Sequence, residues 1–352
     1  MKKGNATIKD VAAKAGVSVS AVSVALSNKL SSARISKETR ARILDAAKAC
    51  GYFPSLTAKG FHSRKSYLLG VFFASQGWHV MVKLLESIRK VCYENEYELL
   101  LYPSDDVEME RRNLLSASHR NLDGILTLPV APSAAGNLAF YEKFVSDGIP
   151  VIQFQYSLSD KLPFVGRDYF RLGYDAVSEC VRAGHRKIAF AVFENYTNKK
   201  LGGANYLVAE GYRCAMKEHN LTADIFPSPY RGRPLKYIHY GAVVARKILE
   251  RKNLPTAIIT CANTLAYGMM TSFAKCGIRV PEDISLLGCA DDIEMSSEIF
   301  PLLSHYPIPS EQIGTQVTKR CLGLSDAFEG NSLLLHTGLI QGETLGRIVE
   351  KH

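Results

Sequence analysis

The chain has 352 residues, of which 47% are hydrophobic and 22% are charged, and its formal net charge at pH 7 is +9. This composition is typical of a folded globular protein and excludes a low-complexity chain. No run of 18 apolar residues occurs, and no apolar segment follows the basic residues near the start, so we expect neither a membrane span nor export. Eight cysteines without a C-x-x-C pair are typical of reduced core residues in a cytoplasmic protein.

The positive charge is confined to the first part of the chain. Residues 1–66 hold 13 Lys and Arg against 3 Asp and Glu, a net charge of +10, whereas the remaining 286 residues sum to −1. A basic excess in one small segment is typical of a module that binds phosphates, because a charge that served solubility alone would be spread over the chain. The apolar residues at helical spacing in the same segment argue against a disordered basic tail. Nucleic acid is therefore the expected partner.

Residues 7–28 predict two short helices joined by a tight turn. Ile8, Val11 and Ala12 share one face of the first helix, and Gly16 supplies the positive φ that the turn requires. The second helix begins after a serine that can cap it, which is the pattern of a DNA-reading helix-turn-helix.

The second helix of this pair has an inward and an outward face. Val22 and Leu26 are four residues apart and can pack inward. The outward residues are small, as the floor of a DNA groove requires, and they are Val19, Ser20, Ser23 and Val24.

From Tyr67 onward, short apolar runs alternate with amphipathic stretches, which predicts parallel strands covered by helices. About 285 residues exceed the size at which one hydrophobic core stops growing, so we expect two lobes. The predicted strands are 68–73, 97–102, 124–128, 150–154, 187–193, 256–261 and 284–289.

Sequence motifs of common enzymes are missing. The chain has no G-x-G-x-x-G before a helix, no G-x-x-x-x-G-K-[ST], no G-x-S-x-G and no H-E-x-x-H. We therefore expect no catalytic residue, no cofactor and no metal. His185 is expected to satisfy a backbone carbonyl and to have no catalytic role.

The opening pattern resembles that of the lactose-repressor/galactose-repressor family of bacterial transcription regulators, T-I-x-D-V-A-x-x-A-G-V-S-x-x-T-V-S-x-x-L-N. The matching residues are Thr7, Ile8, Asp10, Val11, Ala12, Ala15, Gly16, Val17, Ser18, Val22, Ser23 and Leu26. Ala21 stands where the family usually has Thr. Further similarities at 36–40, 51–54, 122–125, 184–189, 211–212, 261–263 and 280–285 follow in the family's order along nearly the whole chain.

The resemblance implies an α/β fold with a three-helix helix-turn-helix head at 1–54, a hinge helix or linker at 55–66, and a two-lobed domain at 67–352. That domain is expected to be like type I periplasmic binding proteins, with doubly wound parallel sheets. Its first lobe is expected at about 67–165 and 292–329, and its second lobe at about 166–291 and 330–352.

DNA contacts are implied by the same resemblance at the matching positions of the head and hinge. In the hinge, Phe61 takes the place of the apolar residue that enters the minor groove. Gly60 costs about 1 kcal/mol relative to Ala in a helix, so we expect a hinge that folds on DNA, with a plain linker as the alternative. The expected contacts are Thr7, Ile8, Lys9, Ser18, Val19, Ser20, Ala21, Ser23, Val24, Asn28, Arg34, Ser36, Thr39, Tyr52, Ser55, Ala58, Lys59 and Phe61.

An effector cleft between the lobes is also implied, but it departs from the family. Val208 stands where sugar-binding relatives have an Arg that grips ligand oxygens, so a simple hexose held by that Arg is not expected. Trp78 could stack on a ligand or pack between the lobes. A pocket that has lost its ligand is the alternative to a carbohydrate-related effector. The expected effector residues are Ser75, Trp78, Gln155, Asp168, Val208, Asn263 and Asp291.

The sequence thus predicts a homodimeric transcriptional regulator that binds palindromic double-stranded operator DNA under the control of a small molecule. Two other classes remain open at this point. One is a solute-binding protein of transport, and the other is an enzyme on a doubly wound sheet. The basic head argues against a transport protein, and the absence of the common enzyme motifs argues against an enzyme.

Overall fold

The computed structural model describes residues 6–26, 35–52, 65–75, 78–130, 136–229, 236–289 and 298–348, with the side chains of 78–80 and 199–202 left aside. The chain divides into two compact units, Met1–Tyr67 and Leu68–His352. In the described part of the chain, no helix is both long enough and apolar enough to cross a membrane.

The helices of the described residues are α1 (Ile8–Ala15), α2 (Val19–Leu26), α3 (Lys37–Cys50), α4 (Trp78–Glu94), α5 (Val107–Ala117), α6 (Leu138–Ser146), α7 (Tyr169–Arg182), α8 (Lys199–Glu218), α9 (Lys236–Leu249), α10 (Asn263–Lys275) and α11 (Ser310–Leu322). The strands are β1 (Leu68–Ala74), β2 (Glu98–Ser104), β3 (Gly124–Leu128), β4 (Val151–Phe154), β5 (Phe164–Arg167), β6 (Ile188–Phe193), β7 (Asp224–Ser228), β8 (Ala257–Thr260), β9 (Ser285–Gly288), β10 (Ser304–His305) and β11 (Ser332–Leu335).

The first unit is a three-helix head in which local capping sets the helix ends. At the start of α1, Asp10 Oδ2 accepts a 2.7 Å hydrogen bond from the Thr7 N–H, and the Thr7 hydroxyl accepts one of 3.4 Å from the Asp10 N–H. This capping box satisfies two amides that the helix leaves open. Gly16 ends α1 at a φ of 62°, as predicted. The core consists of Val11, Ala12, Ala15, Val22, Ala25, Ile43, Ala46 and Ala47.

The first sheet of the second unit is parallel and has the strand order β11-β5-β4-β3-β1-β2. Successive residues of β1 face opposite sides of the sheet. Val71 packs with residues of α4 and α11, whereas Phe72 packs with Leu114 of α5 and Tyr141 of α6. Helices therefore cover both faces, which confirms the predicted doubly wound arrangement.

The second sheet is also parallel and has the order β10-β9-β8-β6-β7. Phe190 of β6 packs on the side of α7 and α8, where its ring lies 5.1 Å from that of Tyr212. Ala191 of β6 packs on the opposite side, against α9 and α10. All seven predicted strands are present, within one or two residues of their predicted ends.

The sequence analysis did not predict four of the strands, namely β5, β7, β10 and β11. β7 contains Pro227, which indicates a turn in an isolated sequence but is tolerated because β7 is an edge strand. β10 has only two residues, and the apolar run of β11 is limited to Leu333–Leu335, which is shorter than the runs that predicted the other strands.

The sheet pairings place the exchanges between lobes later than we expected. β5 and β11 belong to the first sheet, and β10 belongs to the second. The chain therefore leaves the first sheet after residue 167, returns to it between 305 and 310, and leaves it again after 335. The boundaries expected near 292 and 330 do not agree with this pairing, because the short strands that define the exchanges were not recognised.

Two helix pairs of the second lobe approach each other closely through glycines. A Cβ on Gly211 of α8 would lie 2.0 Å from the carbonyl oxygen of Phe170, and one on Gly173 of α7 would lie 2.0 Å from that of Val208. Gly241 and Gly268 have the same reciprocal relation between α9 and α10. Only glycine permits backbones at this distance.

All eight cysteines are free thiols. The expectation that they are core residues is wrong for Cys214 and Cys276, which are exposed. The structure agrees with the prediction that His185 satisfies a backbone carbonyl, since its Nε2 lies 3.0 Å from the Gly346 carbonyl oxygen; its Nδ1 lies 3.0 Å from the Thr256 hydroxyl.

Candidate functional site

The second helix of the head begins at a serine cap. The Ser18 hydroxyl accepts a 3.2 Å hydrogen bond from the Ala21 N–H and lies 2.9 Å from the Ser20 hydroxyl. The cap satisfies an amide that would otherwise compete for solvent or a ligand. The start of α2 is thus set by local interactions of its own residues.

The outer face of α2 is small and exposed at three positions. Val22 and Ala25 are buried in the core, and Val19, Ser20 and Ser23 are exposed, with Val19 at 41%. We call these last three residues the reading face. The structure differs from the prediction at two further positions, because Val24 is half-buried and the inward Ala25 was not recognised.

Other residues of the head that we expected at DNA differ in their exposure and contacts. Lys9 is exposed, whereas Ile8 and Tyr52 pack partly against the core. Ser36 caps α3 by accepting a 3.2 Å hydrogen bond from the Thr39 N–H. The remaining ones lie outside the described residues: Asn28, Arg34, Ser55, Ala58, Lys59 and Phe61. The hinge prediction as a whole falls in that part of the chain.

Exposed cations outnumber acids on the described part of the head. The exposed basic residues are Lys9, Lys14, Lys37, Arg40, Arg42 and Lys48, against the acids Asp10, Glu38 and Asp45. Asp10 is engaged in the α1 capping box, where the hydrogen bonds from Thr7 lower the pKa of its carboxyl. The field of this surface therefore favours a polyanion.

A second candidate site lies in the other unit, where strands of the second sheet reach their carboxyl ends. Asn263 is the first residue of α10 and is 1% exposed. Neither atom of its amide has a hydrogen-bond partner among the described residues, and the same holds for the hydroxyls of Thr260 and Ser228. We call these three residues the polar edge. A buried polar group without a partner costs roughly 1–3 kcal/mol, so a ligand or water is expected at such a place.

The geometry around the polar edge is compact. Thr260 is the register partner of Gly288, and a Cβ on Gly288 would lie 2.2 Å from Asn263 Oδ1. Phe193 at the end of β6 is the register partner of Ser228, and its ring lies 4.5 Å from that of Tyr237. Neutral hydrogen-bonding groups thus stand beside an aromatic pair.

The effector residues expected on the first lobe lie at carboxyl ends of the first sheet. Ser75 follows β1, and Gln155 follows β4. Gln155 is buried with a φ of 62°, and its Oε1 accepts a 3.2 Å hydrogen bond from the hydroxyl of Tyr169 in α7. Trp78 begins α4, but its side chain and all of Asp291 lie outside the described residues.

Two expected effector residues have other roles in the structure. Val208 is 4% exposed and packs in the core of the second sheet, so its side chain offers little surface to a ligand. It belongs to α8 at the close contact with α7, a tertiary constraint that sequence spacing does not show. Asp168 caps α7, where its Oδ1 accepts a 2.9 Å hydrogen bond from the Arg171 N–H.

Comparison with known families agrees with both units. The sequence model of lacI-family bacterial regulatory proteins matches residues 7–55, and that of a periplasmic binding protein-like domain matches residues 177–345. The chain therefore carries a lacI-family helix-turn-helix domain and a periplasmic binding protein-like domain. The resemblance that we inferred from the opening pattern is confirmed.

Curated relatives of the chain are named as repressors. The transcriptional repressor PurR of Haemophilus influenzae (strain PittEE) is 26% identical over 315 residues, which cover 88% of each chain. The ribose operon repressor of Haemophilus influenzae (strain ATCC 51907 / DSM 11121 / KW20 / Rd) is 26% identical over 325 residues, covering 88% of this chain and 89% of the relative.

Solved structures of transcriptional regulators share the fold. The lac repressor dimer bound to operator and the anti-inducer ONPF has a TM-score of 0.72 at 21% identity, covering 97% of this chain and 100% of that one. The regulator CelR in complex with cellobiose has a TM-score of 0.64 at 20% identity, covering 96% and 99%.

Sequence reasoning missed several residues of the second site, namely Ser228, Thr260, Phe193 and Tyr237. Ser228 ends a strand that was not predicted, so its place at the carboxyl edge of a sheet was hidden. Thr260 lay inside a predicted strand, and its position near the end of that strand was the available signal.

Proposed function

We propose that this chain is a sequence-specific DNA-binding transcriptional repressor whose affinity for its operator is set by a small-molecule effector. One observation supports the proposed sequence-specific binding of DNA. The reading face of Val19, Ser20 and Ser23 is exposed on a capped helix, in a segment with a net charge of +10. Small side chains let the helix approach base edges, and the surrounding cations bind phosphates. We place this activity in the cytoplasm, where bacterial DNA lies.

The DNA half is tested with a matched pair of charge variants. Ser20→Glu puts a carboxylate on the reading face, and Ser146→Glu adds the same charge at an exposed position of α6. The full chain should shift specific fragments of its genome in a gel. Ser20→Glu should abolish these shifts by charge repulsion, while Ser146→Glu should retain them. Equal binding by the two variants would contradict the reading face.

For the effector half, we propose a ligand that binds at the polar edge of Ser228, Thr260 and Asn263. Their amide and hydroxyls are neutral and can both donate and accept hydrogen bonds, as the hydroxyl groups of a carbohydrate-related ligand require. The half-buried ring of Tyr237, which packs against the buried ring of Phe193, supplies an apolar surface against which a ring face can pack. Val208 supplies no charge, so the ligand need not carry an acid.

A panel of sugars, sugar acids and nucleosides tests this site by thermal shift and by emission of Trp78, the only indole in the chain. One member should raise the unfolding temperature, and the rise should continue with the logarithm of ligand concentration above the Kd. Asn263→Ala should weaken that ligand, whereas Asn113→Ala, at an amide bonded to Pro103 and Ser104 in the first lobe, should not. Binding that is insensitive to Asn263→Ala would place the ligand elsewhere.

Control of DNA binding then follows from linkage. A ligand shifts the equilibrium between two arrangements of the lobes only by the difference between its affinities for them. Two heads of a homodimer on two half-sites of a palindromic operator would respond to that shift together.

A further inference from the structure

Arg167 is a buried cation whose hydrogen bonds cross between the two sheets. It ends β5 of the first sheet and is 2% exposed. Its Nη1 donates a 2.8 Å hydrogen bond to the Cys289 carbonyl oxygen, and its Nη2 donates one of 3.1 Å to the Tyr306 carbonyl oxygen. Nη2 also donates a 3.2 Å hydrogen bond to the Thr337 hydroxyl.

The two carbonyls belong to neighbouring strands of the second sheet. Cys289 directly follows β9 and Tyr306 directly follows β10, and these strands pair through Gly288 and His305. The planar guanidinium presents several donors in a fixed geometry, which suits two adjacent carbonyls better than a lysine ammonium does. Arg167 therefore joins the end of a first-sheet strand to the ends of two second-sheet strands.

All three connections between the lobes meet at this side chain. The first connection begins at Asp168, whose N–H donates a 2.8 Å hydrogen bond to the Leu335 carbonyl oxygen, just before the third connection. Thr337 lies in the third connection and donates a 2.8 Å hydrogen bond to the carbonyl oxygen of Pro307, in the second. Arg167 contacts the residue that joins these two connections.

We propose that Arg167 is the pivot of the two lobes, a positioning residue that restricts their relative motion to rotation about the three connections. Atoms near a hinge axis move little when the lobes rotate, so these hydrogen bonds can persist during opening and closing. A sliding motion would separate the guanidinium from both carbonyls and leave buried acceptors without a donor. The pivot thus selects rotation over sliding.

The consequence for regulation rests on the function proposed above. An effector at the polar edge would rotate one lobe relative to the other. Because the pivot prevents sliding, that rotation would move the lobes to one defined arrangement. Without the pivot, the lobes would sample more arrangements, and effector binding would bias operator affinity less.

The test measures the distance distribution between the lobes in the full chain. Nitroxide labels are placed at Ser146→Cys on α6 and Lys247→Cys on α9, with Cys50, Cys214, Cys261 and Cys276 replaced by serine. An excess of unlabelled chain keeps each labelled pair within one molecule. The chain with Arg167 should give one narrow distribution. Arg167→Lys retains the positive charge but lacks the planar guanidinium with its several donors. Its distance distribution should be broad, while its far-ultraviolet circular dichroism should remain that of the folded chain.

The matched control is Arg171→Lys, which alters an exposed arginine at the start of α7 that is paired with Asp175. It should leave the distribution narrow. A folded Arg167→Lys chain with an unchanged distribution would overturn the pivot. If Arg167→Lys does not fold, the Thr337→Val variant is measured instead. It removes one of the three acceptors of Arg167 and should broaden the distance distribution. An unchanged distribution in this variant would overturn the proposal. This readout needs neither operator nor effector, so its outcome is separate from that of the proposed function.

Discussion

At the scale of single residues, the head separates side chains placed to read bases from those placed to hold phosphates. Ser20 lies on the reading face, whereas Lys9 is an exposed cation of α1. Ser20→Ala should change the preferred base at one or two positions of the site. Lys9→Ala should weaken all sequences alike and lower the slope of log K against log[salt] by about 0.9 in magnitude, because one phosphate contact is lost.

Anisotropy titrations on single-base variants of the operator, at several salt concentrations, check both statements. A Ser20→Ala chain that ranks the variants as the parent chain does would remove Ser20 from base recognition. A Lys9→Ala chain that alters the ranking would show that Lys9 reads bases.

His185 gives the second lobe a pH-dependent stability. Burial lowers the pKa of its imidazole, and the hydrogen bond to the Gly346 carbonyl oxygen opposes this in part. The unfolded chain therefore takes up a proton near the ordinary pKa of about 6.5, while the folded chain does so only at lower pH. Stability should fall as pH decreases from about 6.5 to the lower pKa of the folded state.

Urea unfolding between pH 7.5 and 5 measures this slope. His185→Gln removes the titrating group and should flatten it, whereas replacing the exposed His219 should not. Equal slopes in the parent chain and His185→Gln would assign the pH dependence to other groups.

Local rules explain which residues could be predicted from the sequence. The cap at Ser18 and the turn at Gly16 depend on neighbours within three residues, and both predictions agree with the structure. Val208 and Asp168 were assigned to a ligand by position in a motif. Their contacts within the chain, with the core around α7 and with the first turn of α7, depend on how helices pack and where a strand ends, and their role at a ligand stays a prediction.

At the scale of elements, the contact of α7 with α8 depends on its reciprocal glycines. Gly211→Ala would place a methyl group 2.0 Å from the Phe170 carbonyl oxygen, so the helices must separate. Overpacking of this kind destabilises by about 1–3 kcal/mol. Gly338→Ala is the matched control, because its Cβ would meet nothing within 4 Å.

Chemical unfolding of the two variants checks this prediction. Gly211→Ala should lower the free energy of unfolding, and Gly338→Ala should leave it within about 0.5 kcal/mol of the parent value. A Gly211→Ala chain as stable as Gly338→Ala would mean that the helices separate at little cost.

Elements with apolar runs were predictable, because buried parallel strands such as β6 are apolar throughout. The edge strands β7 and β11 were not, since Pro227 interrupts β7 and the apolar run of β11 is only three residues long. Only part of the polar edge could be predicted from the sequence. Asn263 follows a predicted strand, whereas Ser228 ends β7, which was not predicted.

At the scale of the whole molecule, a basic head with a lacI-family domain and a two-lobed unit share one chain. The concentration of charge in residues 1–66 made the division visible in the sequence. The order of strands at the lobe exchanges was not visible, because it depends on pairings between residues as distant as Phe164 and Ser332. Operator recognition by two heads is the claim on which the proposed control by an effector depends.

Selection from a random pool of double-stranded DNA with the full chain, followed by sedimentation on the selected site, tests that claim most directly. We expect one enriched inverted repeat that binds two chains, with a log K that falls linearly with log[salt]. A pool that remains unenriched after repeated rounds, or a single half-site that binds one chain, would contradict it.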